Sequence, residues 1–176
     1  MVILEAAVDE LADVGYGGVT IESVAARAGV GKSTIYRHWP DKLALIADAF
    51  ETFHVQMVPD VEDRSARESV ETLLRHVAEV VLDSTWSRCI PALIEGAERD
   101  RRVREFHHGY SAERRHELTD VIARGIERGE FREGLDPELA TIALLGVIFY
   151  RRLMTGEPLQ PGGAGEVVEL ILGPGA

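Results

Sequence analysis

Apolar residues recur at three- and four-residue intervals along almost the whole chain, and no run of alternating Val, Ile, Thr or Tyr closes on a two-residue turn. The pattern predicts an all-α protein. Leu4, Ala7, Val8, Leu11 and Val14 make one stripe, with Glu5, Asp9 and Asp13 opposite, and the Gly15-Tyr16-Gly17-Gly18 segment is expected to stop that first helix. Thr20 then suits an N-cap, because its hydroxyl can accept from the free amides of the helix that follows.

A short second helix is predicted over residues 21–28, with Val24, Ala25 and Ala28 facing inward and Gly29 at the left-handed C-cap position. Gly29-Val30-Gly31 leads directly into a third helix, Lys32 to Trp39, which must end where Pro40 has no amide to donate. Asp41 can cap a fourth helix that runs to about Val58, ahead of Pro59. Two short helices joined by a glycine-containing turn are the signature of a helix-turn-helix.

Beyond Pro59 lies an acidic, polar stretch, Asp60 to Arg67, and then a helix from about Glu68 to Asp83. Cys89 to Glu98 and Arg101 to Arg128 read as further helices, broken at Gly129 and Gly134, and Pro137 is well placed to start the next one. In the segment Glu138 to Thr155, Leu139, Ile142, Leu144, Leu145, Val147, Ile148, Phe149 and Leu153 cover most of the circumference, more than one neighbouring surface requires. A second surface, another subunit, is expected to cover the rest. Pro158 to Gly165 reads as a loop and Glu166 to Leu172 as a short apolar helix.

The composition narrows the function classes. Of 176 residues, 45% are hydrophobic and 28% charged, as in an ordinary soluble globular protein. No apolar run reaches the roughly 18 to 20 residues of a membrane span, and no basic segment precedes an apolar stretch at the N-terminus, so a cytoplasmic location without membrane association is expected. Cys89 is the only cysteine, which excludes an internal disulfide and a zinc site built from several thiolates. The net charge of -11 argues against nucleic acid being coated by a generally basic surface, but leaves room for a local patch. Such a patch exists: Arg27, Lys32, Arg37 and Lys42 face one acidic residue, Asp41, within a stretch that is otherwise acidic. On the third helix Ile35 can face the core while Lys32, Ser33, Tyr36 and Arg37 share the other side, which is the spacing needed to enter a major groove from one face.

Residues 20–42, TIESVAARAGVGKSTIYRHWPDK, closely resemble the DNA-binding segment of the tetracycline-repressor (TetR/AcrR) family of transcriptional regulators. The likeness rests on the threonine opening the second helix, the Ala-x-x-Ala-Gly-Val turn, the Thr-Ile-Tyr-x-His-Trp recognition helix and the Asp-Lys start of the fourth helix. The resemblance implies a three-helix DNA-binding domain over residues 1–40, a connecting fourth helix over 41–58, and a C-terminal ligand-binding and dimerisation bundle over 59–176. It implies that Lys32, Ser33 and Thr34 lie near base edges, with Arg37 a further candidate for guanine, and that Thr20, Tyr36, His38 and Lys42 hold phosphates. Arg27 belongs to the same basic patch. The family reading further implies a homodimer formed through residues 137–172, a double-stranded, palindromic operator, and release by an apolar or amphipathic small-molecule effector, with no cofactor. Two departures stand out. Gly31 replaces the serine or threonine cap that many relatives carry, and no basic arm precedes the first helix from Met1, so either a lower affinity or a truncated start is expected, and either would lower the salt slope.

Several of these residues also fit other chemistries. Gly-Lys-Ser-Thr at 31–34 suggests a nucleotide phosphate loop, but a Walker A motif needs glycine where Ala26 stands and a strand where residues 21–28 are helical. His54, His76, His107, His108 and His116 form no tight pair with a carboxylate, so no metal site is expected. Cys89 reads as a small buried hydrophobe. Phe50, Phe53, Met57, Trp86, Phe106, Tyr110 and Phe149 are each core candidates, and as a group would surround the regulatory cavity that the family resemblance implies between the fourth helix and the C-terminal bundle. Rival functions are a helical dimer that binds a protein partner without DNA, and an enzyme using a carboxylate or histidine in that cavity. For the enzyme, no nucleophile, base and orienting group occur at diagnostic spacing.

Overall fold

The computed structural model describes residues 1–57, 59–61, 63–82 and 85–173, with the side chains of 54–57 left out. Every element among these residues is helical: α1 (Val2–Gly18), α2 (Ile21–Ala28), α3 (Lys32–Tyr36), α4 (Lys42–Met57), α5 (Ala66–Leu82), α6 (Thr85–Arg99), α7 (Arg101–Glu127), α8 (Pro137–Tyr150) and α9 (Ala164–Leu172). A π-helical turn, Arg151–Thr155, follows α8, and a 3-10 turn, Pro161–Gly163, precedes α9.

The chain forms two compact units. The first holds Met1–Met57 and Ser84–Gly109, the second Val58–Asp83 and Tyr110–Ala176, so the long helix α7 begins in one and ends in the other. In the first unit α1 packs against α2, α4 and α6. Its core is built from Leu4, Ala7, Val8 and Leu11 of α1, Val24 of α2, Ile35 of α3, Leu45 and Ile46 of α4, and Cys89 and Leu93 of α6, all buried. In the second unit α5 packs against α8 and α9, around Val70, Leu74, Leu144, Ile148 and Val168. Gly125 of α7 sits where a Cβ would come within 2.4 Å of the Phe131 ring and 2.7 Å of Ala66, which leaves only a hydrogen compatible with that packing.

Several boundaries differ from the sequence expectation. Gly15 does break regular helix, with φ 70° and ψ 167°, but a further turn forms beyond it to Gly18. Val14, expected on the apolar stripe, is exposed. α5 begins at Ala66 because Ser65 and Glu68 form a reciprocal cap, with Ser65 N–H donating to Glu68 Oε2 at 3.1 Å and Glu68 N–H to Ser65 Oγ at 3.2 Å. α6 starts four residues before Cys89 and runs through Pro91, since Trp86, Cys89, Leu93 and Ala97 continue one helical stripe. α8 starts as expected at Pro137, with Asp136 Oδ1 accepting from the amides of Glu138 and Leu139 at 2.9 and 3.1 Å. α9 starts at Ala164, two residues ahead of the expected Glu166.

Candidate nucleic-acid interface

The recognition unit is assembled from short-range signals. Thr20 caps α2, its Oγ1 accepting from Ser23 N–H at 3.0 Å while Thr20 N–H donates back to Ser23 Oγ at 3.2 Å. α2 ends at Gly29, whose φ of 68° and ψ of 30° place it in the left-handed region that glycine occupies without strain. Val30 N–H then returns to the Ala25 carbonyl at 3.0 Å, closing the turn. Gly31 opens α3 without a side-chain cap. The helix is held instead by Ile35, which is fully buried.

With Ile35 locked inward, the other side of α3 is dictated by the helical period. Lys32, Ser33, Tyr36, Arg37 and His38 are exposed and Thr34 is half-buried. Tyr36 is 52% exposed, a large aromatic presented outward on a five-residue helix.

The basic residues divide by what they touch. Lys32 Nζ donates to Glu22 Oε1 at 2.9 Å, and this contact holds the Glu22 carboxyl below its ordinary range. Arg27 lies behind the recognition face, with Nε on buried Glu10 and Nη2 on Asp13, each at 2.8 Å. Lys42 Nζ donates to the carbonyls of Tyr16 at 2.8 Å and Val19 at 2.9 Å and stands 4.5 Å over the Tyr16 ring. Two of its three donors are therefore committed inside the unit. Arg37 is exposed and has no ion-pair partner among the described residues. Trp39 follows the helix, its indole N–H donating to Asp48 Oδ2 at 2.8 Å and its ring tilted against His38 at 5.4 Å.

Of the seven proposed effector-pocket residues, four meet in the first unit. Phe50 of α4 is buried, packed edge-on to Trp86 of α6 at 4.6 Å and to Phe106 of α7 at 6.1 Å, and Phe53 lies 5.7 Å from Trp86. Tyr110 and Phe149 belong to the second unit, both half-buried, with the Arg114 guanidinium 5.0 Å over the Tyr110 ring. The Met57 and His54 side chains lie outside the described residues. Cys89 is buried as expected, and burial pushes its thiol up to about 12. Burial also lowers the pKa of His76 and of His107, the latter with help from neighbouring His108.

Sequence reasoning missed the acidic partners. Glu10 and Arg27 are 17 residues apart, and Asp41 and Arg102 are 61 apart. Only the Lys32–Glu22 pair, joining two adjacent short helices, was within reach of a local argument.

A capped helix, a glycine turn and a short helix with its polar side exposed define a helix-turn-helix DNA-binding regulator. Residues 3–49 match the description "Bacterial regulatory proteins, tetR family", and residues 59–171 match "Tetracyclin repressor-like, C-terminal domain". The chain belongs to the TetR family of DNA-binding transcriptional regulators. It is 33% identical to the HTH-type transcriptional regulator YdeS of Bacillus subtilis, over 90% of this chain and 80% of that one. It is 26% identical to the fatty acid metabolism regulator protein of the same organism, over 84% and 78% of the two chains. Its fold superposes on the crystal structure of FadR from Bacillus subtilis, determined in complex with stearoyl-CoA, with a TM-score of 0.80, 24% identity, and 99% and 98% of the chains covered. Regulators of this family bind operators, dimerise and respond to small molecules. Among the described residues no helix is long and apolar enough to cross a membrane.

Proposed function

We propose that the exposed side of α3 reads the operator, with Lys32, Ser33, Thr34 and Arg37 at base edges and Thr20, Tyr36 and His38 at phosphates. The observation that carries this reading is the full burial of Ile35, which turns Lys32, Ser33, Tyr36 and Arg37 outward together. Arg27 supports the patch from behind through Glu10 and Asp13. Lys42 has its ammonium on two carbonyls and contributes to phosphate binding through its remaining charge.

Dimerisation runs through α8 and α9. Leu139, Ile142 and Tyr150 fall on one exposed side of α8 at intervals of three and eight, and Leu170 of α9 is 82% exposed. A second copy of this chain covers these residues, as expected for residues 137–172, and separates the two recognition helices by one turn of B-DNA, about 34 to 36 Å. The effector is an apolar or amphipathic small molecule that acts on the Phe50, Phe53, Trp86 and Phe106 cluster. A long-chain acyl thioester is the first class to test, because a relative of the same fold is named for fatty acid metabolism and another structure holds stearoyl-CoA. The repressor acts in the cytoplasm without enzymatic turnover or a cofactor.

The test is selection of duplexes from a randomised pool by the purified protein, followed by sedimentation of Ile142→Glu. The reading expects a palindrome with half-sites one turn apart, and a variant that sediments as a monomer and loses the palindromic requirement. Non-palindromic enrichment, or an unchanged dimer, would contradict it. Addition of stearoyl-CoA to the selected complex is expected to release the DNA.

A further inference from the structure

We propose that Arg102, at the start of α7, is a positioning residue for DNA recognition: its ion pair with Asp41 holds the first turn of α4, and through it the α1–α2 junction, in the pose that presents α3.

A chain of short contacts within the first unit links Arg102 to α3. Arg102 Nη2 donates to Asp41 Oδ2 at 2.8 Å. The other oxygen of the same carboxylate, Oδ1, accepts from Ala44 N–H at 3.0 Å, so one side chain both caps α4 and binds α7. These two contacts, the amide first, hold the Asp41 carboxyl below its ordinary range. The next residue, Lys42, clamps the carbonyls of Tyr16 and Val19, the second of which directly precedes the Thr20 cap of α2. From Thr20 the path to Lys32 is one helix and one glycine turn. The corner that carries Arg102 is itself fixed, because Asp100 Oδ1 accepts from Arg102 N–H at 2.8 Å.

A second contact runs beside the first. Gly96 of α6 lies against Tyr16, where a Cβ would come to 3.0 Å from the Tyr16 Cβ. The α6–α7 corner therefore grips the recognition unit by packing at Tyr16 and by charge at Asp41. The same three helices carry the aromatic cluster: Phe50 on α4, Trp86 on α6 and Phe106 on α7. Arg102 is thus placed to couple a rearrangement among those helices to the end of α4 nearest α3. Its side chain is 63% exposed and that of Asp41 36%, so the pair is expected to tune the pose and not to hold the fold together.

The experiment compares wild type with Arg102→Ala, Arg102→Lys, Asp41→Asn and the double variant Asp41→Asn/Arg102→Ala, using a duplex that the wild-type protein selects from a randomised pool. Asn at 41 keeps the oxygen that caps α4 and removes the charge. Arg102→Ala and Asp41→Asn are each expected to weaken binding by about three- to fivefold, the effect of a single exposed ion pair. The double variant should bind no worse than either single one, and Arg102→Lys should bind within about twofold of wild type. The salt slope should stay at the wild-type value, whereas loss of a phosphate contact would lower it by about 0.9 for each of the two copies on the duplex. Amide exchange across residues 21–36, measured without DNA, should be faster in Arg102→Ala while the melting temperature is unchanged. The inference fails if the single variants bind as wild type, if their losses multiply in the double variant, if the slope drops, or if exchange across 21–36 is unaltered.

Discussion

The ammonium of Lys42 lies between two carbonyls and an aromatic face, donating to Tyr16 O at 2.8 Å and Val19 O at 2.9 Å with the Tyr16 ring 4.5 Å below it. Tyr16 sits just past the break at Gly15, where carbonyls lack regular helical donors. Lys42 supplies those donors from the first residue of α4. Removing it leaves half-buried carbonyls with weaker partners. Lys42→Met is expected to lower unfolding stability by about 1 to 2 kcal/mol, read by denaturant titration. It should also weaken DNA binding while reducing the salt slope by less than the roughly 0.9 per copy expected of a full phosphate contact. A full-slope loss with unchanged stability would return Lys42 to a purely phosphate-binding role.

If Lys32 contacts DNA as proposed, Glu22 competes with the duplex for it. In the free protein their contact is 2.9 Å and both side chains are more than half exposed. Bringing phosphate to this face places a carboxylate near it and requires Lys32 to exchange partners. Glu22→Gln removes the competing charge and keeps a side chain of the same size. Its affinity for the selected duplex is expected to rise about two- to fivefold at low salt, with the gain shrinking as salt approaches 1 M, where the Debye length falls to about 3 Å. Anisotropy titrations at two salt concentrations check this. Equal or weaker binding would show that Lys32 does not leave Glu22 on the DNA.

Burial of Cys89 makes stability sensitive to alkali. Its thiol is pushed up to about 12 by desolvation, and its Sγ lies 3.5 Å from the Val8 carbonyl. The folded state therefore retains a proton that the unfolded chain releases near the ordinary value of 9.0. Stability from this group is fully present below about pH 9 and is lost as pH rises toward 12. Cys89→Ala should show a shallower fall in stability than wild type between pH 9 and 11, whatever its offset at pH 7. Parallel curves would contradict the buried, neutral thiol. The same burial predicts slow labelling by thiol reagents at pH 8.

The parts of the fold visible in the sequence were those written in local rules. The Thr20 cap, the Gly29 turn, the inward Ile35, the Asp41 cap and the Pro137 helix start each depend on residues within four positions, and each has the expected geometry. α6 begins four residues ahead of the expected Cys89, because Trp86 extends the Cys89, Leu93 and Ala97 stripe toward the N-terminus. At the site, the outward set Lys32, Ser33, Tyr36 and Arg37 followed from the period of one short helix. The partners of the charged residues did not. Asp41 meets Arg102 across 61 residues, and Arg27 meets Glu10 across 17, distances at which only the folded chain decides which carboxylate a cation finds. The aromatic cluster was named by residue type, and packing then brought Phe50, Phe53, Trp86 and Phe106 together from three helices.

The central claim is that the exposed side of α3 reads duplex DNA, and Arg37 tests it most directly because it is exposed and has no ion-pair partner among the described residues. The decisive measurement is the affinity of wild type and Arg37→Ala for the selected duplex and for single-base variants of each half-site, across a salt series. A base-reading arginine predicts a loss of about 1 to 3 kcal/mol per half-site on the selected duplex and relaxed discrimination at the matching base pair of each half-site, with unfolding stability unchanged. Wild-type affinity and undiminished discrimination at every position in Arg37→Ala would contradict the account.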